Sequence, residues 1–140
     1  MKTAYFRSAV VATAFAAGLL VLAPPVFAQS LDGRSFVGDA GEKGKPADEK
    51  GDVITFADGK FHSSSCDQYG YSKGAYKATQ AGDAIQFETE TTSEKDGRLV
   101  WKGTVRGSDI EGTFVHYRKG WLLNPNPDPV EHWFKGKAKT

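Results

Sequence analysis

Short runs of alternating apolar and polar residues, separated by turn-forming residues, recur along most of this 140-residue chain. The runs 53–56 and 60–63 flank Asp58-Gly59, and this dipeptide between two such runs is a strong hairpin signal. Further strands are predicted at residues 74–79, 84–91, 98–106, 109–117 and 130–135, after a first strand near Ser35-Phe36-Val37. No stretch after residue 28 has a sustained helical period, so the sequence predicts an all-β protein of about eight strands.

Strand parity predicts which side chains point inward, because successive side chains of a strand lie on opposite faces. In residues 84–91 one face is mainly apolar and the other holds glutamine and glutamates. Across the Asp58-Gly59 turn, Phe56 is expected opposite Phe61. A meander with one buried face has exposed edges unless it closes or stacks. A small antiparallel up-and-down β-barrel is therefore predicted, with a β-sandwich as the alternative.

Residues 39–51 contain several glycines and a proline among charged residues, and no apolar residue larger than alanine. This composition is typical of a loop without a buried face. We therefore expect a mobile loop between the first strand and the run that begins at Val53.

Residues 1–28 have the pattern of a cleavable signal peptide. Lys2 and Arg7 precede an uncharged apolar stretch, and Val26-Phe27-Ala28 places small residues at a cleavage site. The expected product is a single domain, residues 29–140, in the periplasm or secreted. The apolar stretch is shorter than the roughly 20 residues that cross a bilayer, and no second one follows, so no membrane span is expected.

The charge balance gives no electrostatic reason to expect nucleic acid as a partner. The chain has 18 basic and 17 acidic side chains, and the basic ones are scattered apart from the C-terminal lysines.

Cys66 is the only cysteine, so an internal disulfide is excluded. The thiol is either buried and inert, paired with or modified by another molecule, or in contact with a ligand. His62 lies four residues before Cys66. In an extended strand these two side chains would lie about 13 Å apart, too far to share one metal ion.

The order of several sequence features resembles the architecture of a known group of proteins. A Gly-x-x-Phe start to the first strand is followed by many hairpin-linked strands, and two later strands contain Trp101-Lys102-Gly103-Thr104-Val105 and Ile110-Glu111-Gly112-Thr113. This order resembles the small antiparallel barrels of the calycin group, the lipocalins and avidins. The resemblance implies a cavity inside a barrel, but it does not identify a ligand.

The same parity argument selects candidate ligand-binding residues. It turns Phe114 and His116 of one strand and His132 of the last strand toward the interior. Two inward imidazoles could bind a metal, a haem or a polar ligand group, or they could bond only to water and backbone at a barrel mouth. Tyr76 and Trp101 complete the predicted aromatic lining.

Residues 120–129 form an unusual segment in which prolines stand at three alternate positions, 125, 127 and 129. Such spacing removes backbone donors and keeps the chain extended, so this segment is predicted to be a stiff connector. The apolar residues Trp121, Leu122 and Leu123 at its start either close one end of the core or present a surface to a partner.

No motif for nucleophilic catalysis, zinc-dependent hydrolysis or phosphate binding occurs after the leader, so an enzyme is not expected. We expect an exported barrel that binds a small, largely apolar ligand through Tyr76, Trp101, Phe114, His116, Trp121 and His132, and no cofactor unless His116 and His132 hold a haem or metal. The alternative is a cell-envelope module that binds a protein partner through residues 121–129 or Cys66.

Overall fold

Each predicted alternating run forms a β-strand in the structure, a computed structural model that describes Leu20, Leu22 and residues 28–140. The strands are β1 Ser35–Glu42, β2 Glu49–Ala57, β3 Lys60–Ser63, β4 Gly74–Ala81, β5 Ala84–Ser93, β6 Gly97–Arg106, β7 Asp109–Arg118 and β8 Val130–Ala138. A 3₁₀ helix, Ser64–Tyr69, connects β3 to β4.

The strands close into an antiparallel up-and-down barrel. Each strand pairs with the next in the chain, and β1 pairs with β8 from Phe36 opposite Ala138 to Glu42 opposite His132. The predicted all-β barrel is therefore confirmed. The β-sandwich alternative is wrong, because pairing of the first and last strands joins all eight into one sheet. This architecture is consistent with a calycin-like barrel.

The β2–β3 hairpin has the register that its turn residues predict. Phe56 lies opposite Phe61. Asp58 and Gly59 both have positive φ, 53° and 72°. Two consecutive left-handed residues match the right-handed twist of the flanking strands, which is why Asp-Gly is favoured here.

The expectation of a mobile loop at residues 39–51 is wrong. β1 continues to Glu42 and β2 already begins at Glu49, so the connection is only residues 43–48. The glycines in β1 serve close packing: a Cβ on Gly38 would lie 2.2 Å from the carbonyl oxygen of Lys135, and one on Gly41 would lie 2.6 Å from that of Pro46. Glycine is needed here because neighbouring backbone approaches closely.

The barrel interior is filled mainly by aromatic side chains. Phe61 stacks against Phe87, with ring centroids 6.0 Å apart, and the Trp101 ring lies 4.8 Å from that of Phe61. Other members of the buried core are Phe36, Ile54, Phe56, Leu99, Val105, Ile110 and Phe134.

One end of the barrel is closed by the segment that precedes β1. Leu31 is fully buried there, and its backbone N–H donates to the Tyr76 hydroxyl (2.9 Å). That hydroxyl donates to Asp32 Oδ1 (2.6 Å), and the Asp32 carboxylate accepts the backbone N–H of Gly59 in the β2–β3 turn. The ends of three strands are thereby tied to Leu31, so we call this the closed end. The opposite end, at the β1–β2, β3–β4, β5–β6 and β7–β8 connections, is the open end.

The predicted signal peptide lies outside the described residues, except for Leu20, Leu22 and Ala28. In the part of the chain that the structure describes, no helix has the length and apolar character needed to cross a membrane.

Candidate functional site

A cavity of about 380 Å³ occupies the open end of the barrel. This volume is within the range of small-molecule sites, roughly 300–1,000 Å³. Inward-facing side chains of β1, β2, β6, β7 and β8 form its walls, and the 3₁₀ helix and the β5–β6 turn form its rim. The lining residues are Ala40, Asp48, Glu49, Asp52, Ser65, Cys66, Tyr69, Tyr71, Asp96, Leu99, Trp101, Phe114, His116 and His132.

Three stacked rings form the aromatic wall of the cavity. The His132 ring is parallel to that of Phe114, with centroids 4.6 Å apart, and Phe114 lies 4.2 Å from Trp101. Phe114 is opposite His132 in the β7–β8 register and opposite Trp101 in the β6–β7 register, so the pairing of β6, β7 and β8 aligns the three rings. His132 and Trp101 cover the two faces of Phe114, so the stack presents an apolar wall of ring edges to the cavity.

The protonation of His132 follows from its surroundings. Its Nδ1 lies 3.3 Å from the carbonyl oxygen of Val130, which can only accept, so Nδ1 is the protonated nitrogen. Burial lowers the pKa of His132, against smaller raising effects from its bond to Val130 and from the nearby carboxylate of Asp48. The neutral ring therefore retains Nε2 as an acceptor, and no described residue donates to it.

Tyr71, Asp96 and His116 form a hydrogen-bonded cluster in the cavity lining. The Tyr71 hydroxyl donates to Asp96 Oδ2 (2.7 Å), and His116 Nε2 lies 3.2 Å from the same hydroxyl and 3.3 Å from Asp96 Oδ2. Because these oxygens accept, His116 Nε2 carries a proton. Burial, followed by hydrogen bonding to Asp96, raises the pKa of Tyr71, so the phenol stays protonated.

Asp52 fixes the turn by which the chain leaves β3. Its buried carboxylate accepts the Ser63 hydroxyl (2.6 Å), the Ser64 hydroxyl (3.0 Å) and the backbone N–H of Ser65 (2.9 Å). The chain therefore turns into the 3₁₀ helix after Ser63, and this turn brings Cys66 to the cavity.

Cys66 is a partly buried free thiol. Burial raises the pKa of Cys66 to about 11, against smaller lowering effects of hydrogen bonds from Ser63 and Ser65. The thiolate is the reactive form of cysteine, so this environment suppresses disulfide formation and alkylation at neutral pH.

The chain turns into the 3₁₀ helix between His62 and Cys66, but this turn does not make the two side chains a metal-binding pair. His62 faces the outside of β3 and its Nε2 contacts Asp67 Oδ1 at 2.7 Å. Among residues 28–140, no three His, Cys, Asp or Glu side chains converge as a metal site would require. The two inward histidines have different partners, Val130 for His132 and the Tyr71–Asp96 pair for His116.

The structure brings together five of the seven residues selected from the sequence, namely Cys66, Trp101, Phe114, His116 and His132. Tyr76 lies at the closed end, where it bonds to Leu31 and Asp32. Trp121 lies in the β7–β8 connection at the open end but does not line the cavity.

Trp121, Leu122 and Leu123, which we call the apolar loop tip, do not close the core. They are 59%, 94% and 79% exposed. Reciprocal backbone hydrogen bonds between Trp121 and Asn124, both 2.9 Å, hold the tip in a tight turn. The alternative in which these residues plug the barrel is wrong, and their exposure is that of a surface patch.

Sequence reasoning missed the polar part of the lining. Asp96 lies between two predicted strands, and Asp48 and Glu49 lie in the segment expected to be a mobile loop, so strand parity selects none of them. Tyr71 belongs to no strand, and hydrogen bonds such as that from the Ser93 hydroxyl to the carbonyl of Tyr69 (2.6 Å) tie its connection to the one that contains Asp96. Only one feature of the sequence points to these residues as a group: they lie in or next to connections at the same end of an up-and-down barrel.

A second, wider concavity of about 680 Å³ lies on the outer surface of β4–β8. Gly103 and Gly112 are part of its floor. Its polar residues are outward-facing lysines, glutamates, threonines and Gln86, and Trp133 lies beside them. We favour the open-end cavity as the candidate site because it combines enclosure with convergent polar groups and an aromatic wall.

Comparisons with protein-family models, curated proteins and solved structures found no match to this chain.

Proposed function

We propose that this chain is an exported, non-catalytic protein that binds a small molecule in the open-end cavity. The observation that supports this most directly is the stack of His132, Phe114 and Trp101 inside a cavity of small-molecule size. A ring of the ligand would contact this stack, while polar groups of the ligand would meet the carboxylates and His132 at the rim. The lining is more polar than a largely apolar ligand requires, so we propose an amphipathic ligand.

The chemistry of the cavity favours binding over catalysis. A catalytic nucleophile needs a lowered pKa or a base that accepts its proton. The thiol of Cys66 has a raised pKa, and the Tyr71 hydroxyl donates to a carboxylate that stabilises the phenol. These groups serve better as hydrogen-bonding walls. The resemblance to calycin-type barrels, which implies an interior cavity, also supports a carrier or binding role.

Export is proposed from the leader pattern in residues 1–28. Fractionation of the producing cells, followed by mass spectrometry of the protein in the periplasm and medium, tests this part. A chain that begins near Gln29 supports export, and an intact chain confined to the cytoplasm contradicts it.

Binding is tested with three small aromatic probes of different charge: phenethylamine, phenethyl alcohol and 3-phenylpropionate. Calorimetric titration of the purified protein should give saturable binding of at least one probe. Ala40 is buried and lines the cavity, so Ala40→Phe should fill the site and abolish binding. Ala75→Phe, on the exposed face of β4, is the matched control and should bind normally.

If none of the three probes binds, or if Ala40→Phe binds as well as the control, the proposal is wrong. Circular dichroism of both variants must first show the barrel spectrum of the parent protein.

The apolar loop tip supports a second candidate function, a cell-envelope module that binds a protein partner. Three adjacent large apolar side chains on a tight turn, stiffened by the following prolines, match the chemistry of an interaction site. A photo-crosslinking residue at Leu122 should give a discrete adduct in cells, whereas the same residue at Ala75 should not. Identical labelling at both positions would contradict this function.

A further inference from the structure

The charged groups of the open-end cavity have one sign. Four carboxylates line it, from Asp48, Glu49, Asp52 and Asp96, and no lysine or arginine does. The two histidines are its only basic side chains, and burial keeps His132 neutral at neutral pH. The field in the cavity is therefore negative.

Two of these carboxylates are already satisfied by the protein. Asp52 accepts three hydrogen bonds from Ser63, Ser64 and Ser65, and Asp96 accepts the Tyr71 hydroxyl. By contrast, the carboxylates of Asp48 and Glu49 make no hydrogen bond or ion pair with any described residue. They are the groups through which the cavity can recognise a charge.

No lysine forms an ion pair with either of these two carboxylates among the described residues, and four lysines near the rim have other partners. Lys43 pairs with Glu131 (2.8 Å) and Lys45 with Glu42 (2.9 Å). The ammonium groups of Lys95 and Lys119 donate to the backbone carbonyls of Gln68 and Glu94.

The remaining lining groups suit a cation as well. Aromatic faces attract cations through the ring quadrupole, and Tyr69, which is 48% exposed, lies in the cavity lining. His132 Nε2 is an acceptor without a donor among residues 28–140, so it complements an ammonium N–H. An aromatic amine has an apolar ring and a cationic ammonium group. The aromatic wall of the cavity suits the ring, and its hydrogen-bond acceptors suit the ammonium group.

We propose that the ligand is a small organic cation, an amine attached to a planar ring, with the ring against the edge of the His132–Phe114–Trp101 stack and the ammonium group toward Asp48 and Glu49. This inference rests on the proposed function and specifies the class of its ligand.

The test compares the affinities of phenethylamine, phenethyl alcohol and 3-phenylpropionate, which share a phenyl ring and differ in charge. The cation should bind at least about tenfold more tightly than the alcohol, the factor that corresponds to about 1.4 kcal/mol, and the carboxylate most weakly. Added sodium chloride should reduce the preference, because rim charges are partly exposed to solvent.

The variant Asp48→Asn/Glu49→Gln should bind phenethylamine and phenethyl alcohol with similar affinities. The matched control is Glu88→Gln/Glu111→Gln, which removes two carboxylates from the outer concavity and changes the net charge equally. The control should retain the preference for the cation. Thermal unfolding of both variants establishes that they fold.

Binding of the alcohol or the carboxylate as tight as that of the amine would overturn the inference and leave the proposed function intact. Loss of the preference in the control variant alone would place the cation in the outer concavity and would also overturn it. Failure of all three probes to bind would overturn both proposals.

Discussion

Leu31 and Leu122 allow a direct comparison between a leucine that closes the barrel and a leucine that contacts solvent. Leu31 is 0% exposed and belongs to the core cluster, whereas Leu122 is 94% exposed. Replacing each by alanine removes the same atoms. The structure therefore predicts a large loss of stability in the first case and almost none in the second.

The expected magnitude follows from the burial. Truncation of a fully buried leucine to alanine costs transfer free energy and leaves a cavity, together about 3 kcal/mol. The N–H of residue 31 still donates to Tyr76 in the variant, because this bond uses the backbone, so the loss reports the side chain alone. For a domain of this size the change corresponds to a Tm lower by about 12 °C. The Leu122→Ala variant should stay within about 0.5 kcal/mol of the parent.

Urea unfolding followed by fluorescence and by far-UV circular dichroism measures both variants. Coincident curves establish two-state behaviour, and an unchanged m value assigns the difference to stability. A Leu31→Ala variant within about 0.5 kcal/mol of the parent would refute the closed end described above. Equal losses in the two variants would refute the exposed position of the apolar loop tip.

Three further predictions concern the core, the thiol and pH. Gly103→Ala should lower stability by about 1–3 kcal/mol in urea, because its Cβ would lie 2.5 Å from the Phe87 ring; no loss would contradict the packing of the barrel centre. Cys66, whose pKa burial raises to about 11, should react with iodoacetamide about a hundredfold more slowly in the folded protein than in urea, and equal rates would contradict its burial. Burial lowers the folded-state pKa of His132, so the unfolded state binds its proton first and stability is lost as pH falls below about 6.5. The isosteric variant His132→Phe should lose less stability than the parent between about pH 7 and about pH 5, and an unchanged pH dependence would contradict the neutral ring.

The sequence predicted the barrel because its information is local and periodic. Alternation placed Phe114, His116 and His132 on the inward face, and Asp58-Gly59 set the pairing of Phe56 with Phe61. These features depend on strand parity and on turn conformation, which neighbouring residues decide.

Glycine was the main source of error in the fold. Gly38 and Gly41 are ambiguous in one sequence, because a glycine can mark either a turn or a close approach of two strands. In the structure, Gly38 packs against the backbone of β8 and Gly41 packs against the backbone of the β1–β2 connection. Both glycines therefore serve close packing. The length of β1 could therefore not be predicted.

The polar half of the site also escaped prediction, for a related reason. Tyr71 and Asp96 are separated in the chain and belong to connections, which have no periodic pattern. Hydrogen bonds between the two connections, such as that from Ser93 to Tyr69, accompany their contact. Such contacts are properties of the closed barrel, so a cavity was foreseeable but its negative lining was not.

The central claim is that the ligand enters the open-end cavity, and the three histidines provide a built-in test of it. His116 and His132 line the cavity, whereas His62 faces outward and contacts Asp67. Imidazole NMR signals recorded during titration with phenethylamine should therefore shift for His116 and His132 and remain unchanged for His62. Saturable binding that leaves both cavity histidines unmoved would contradict the account.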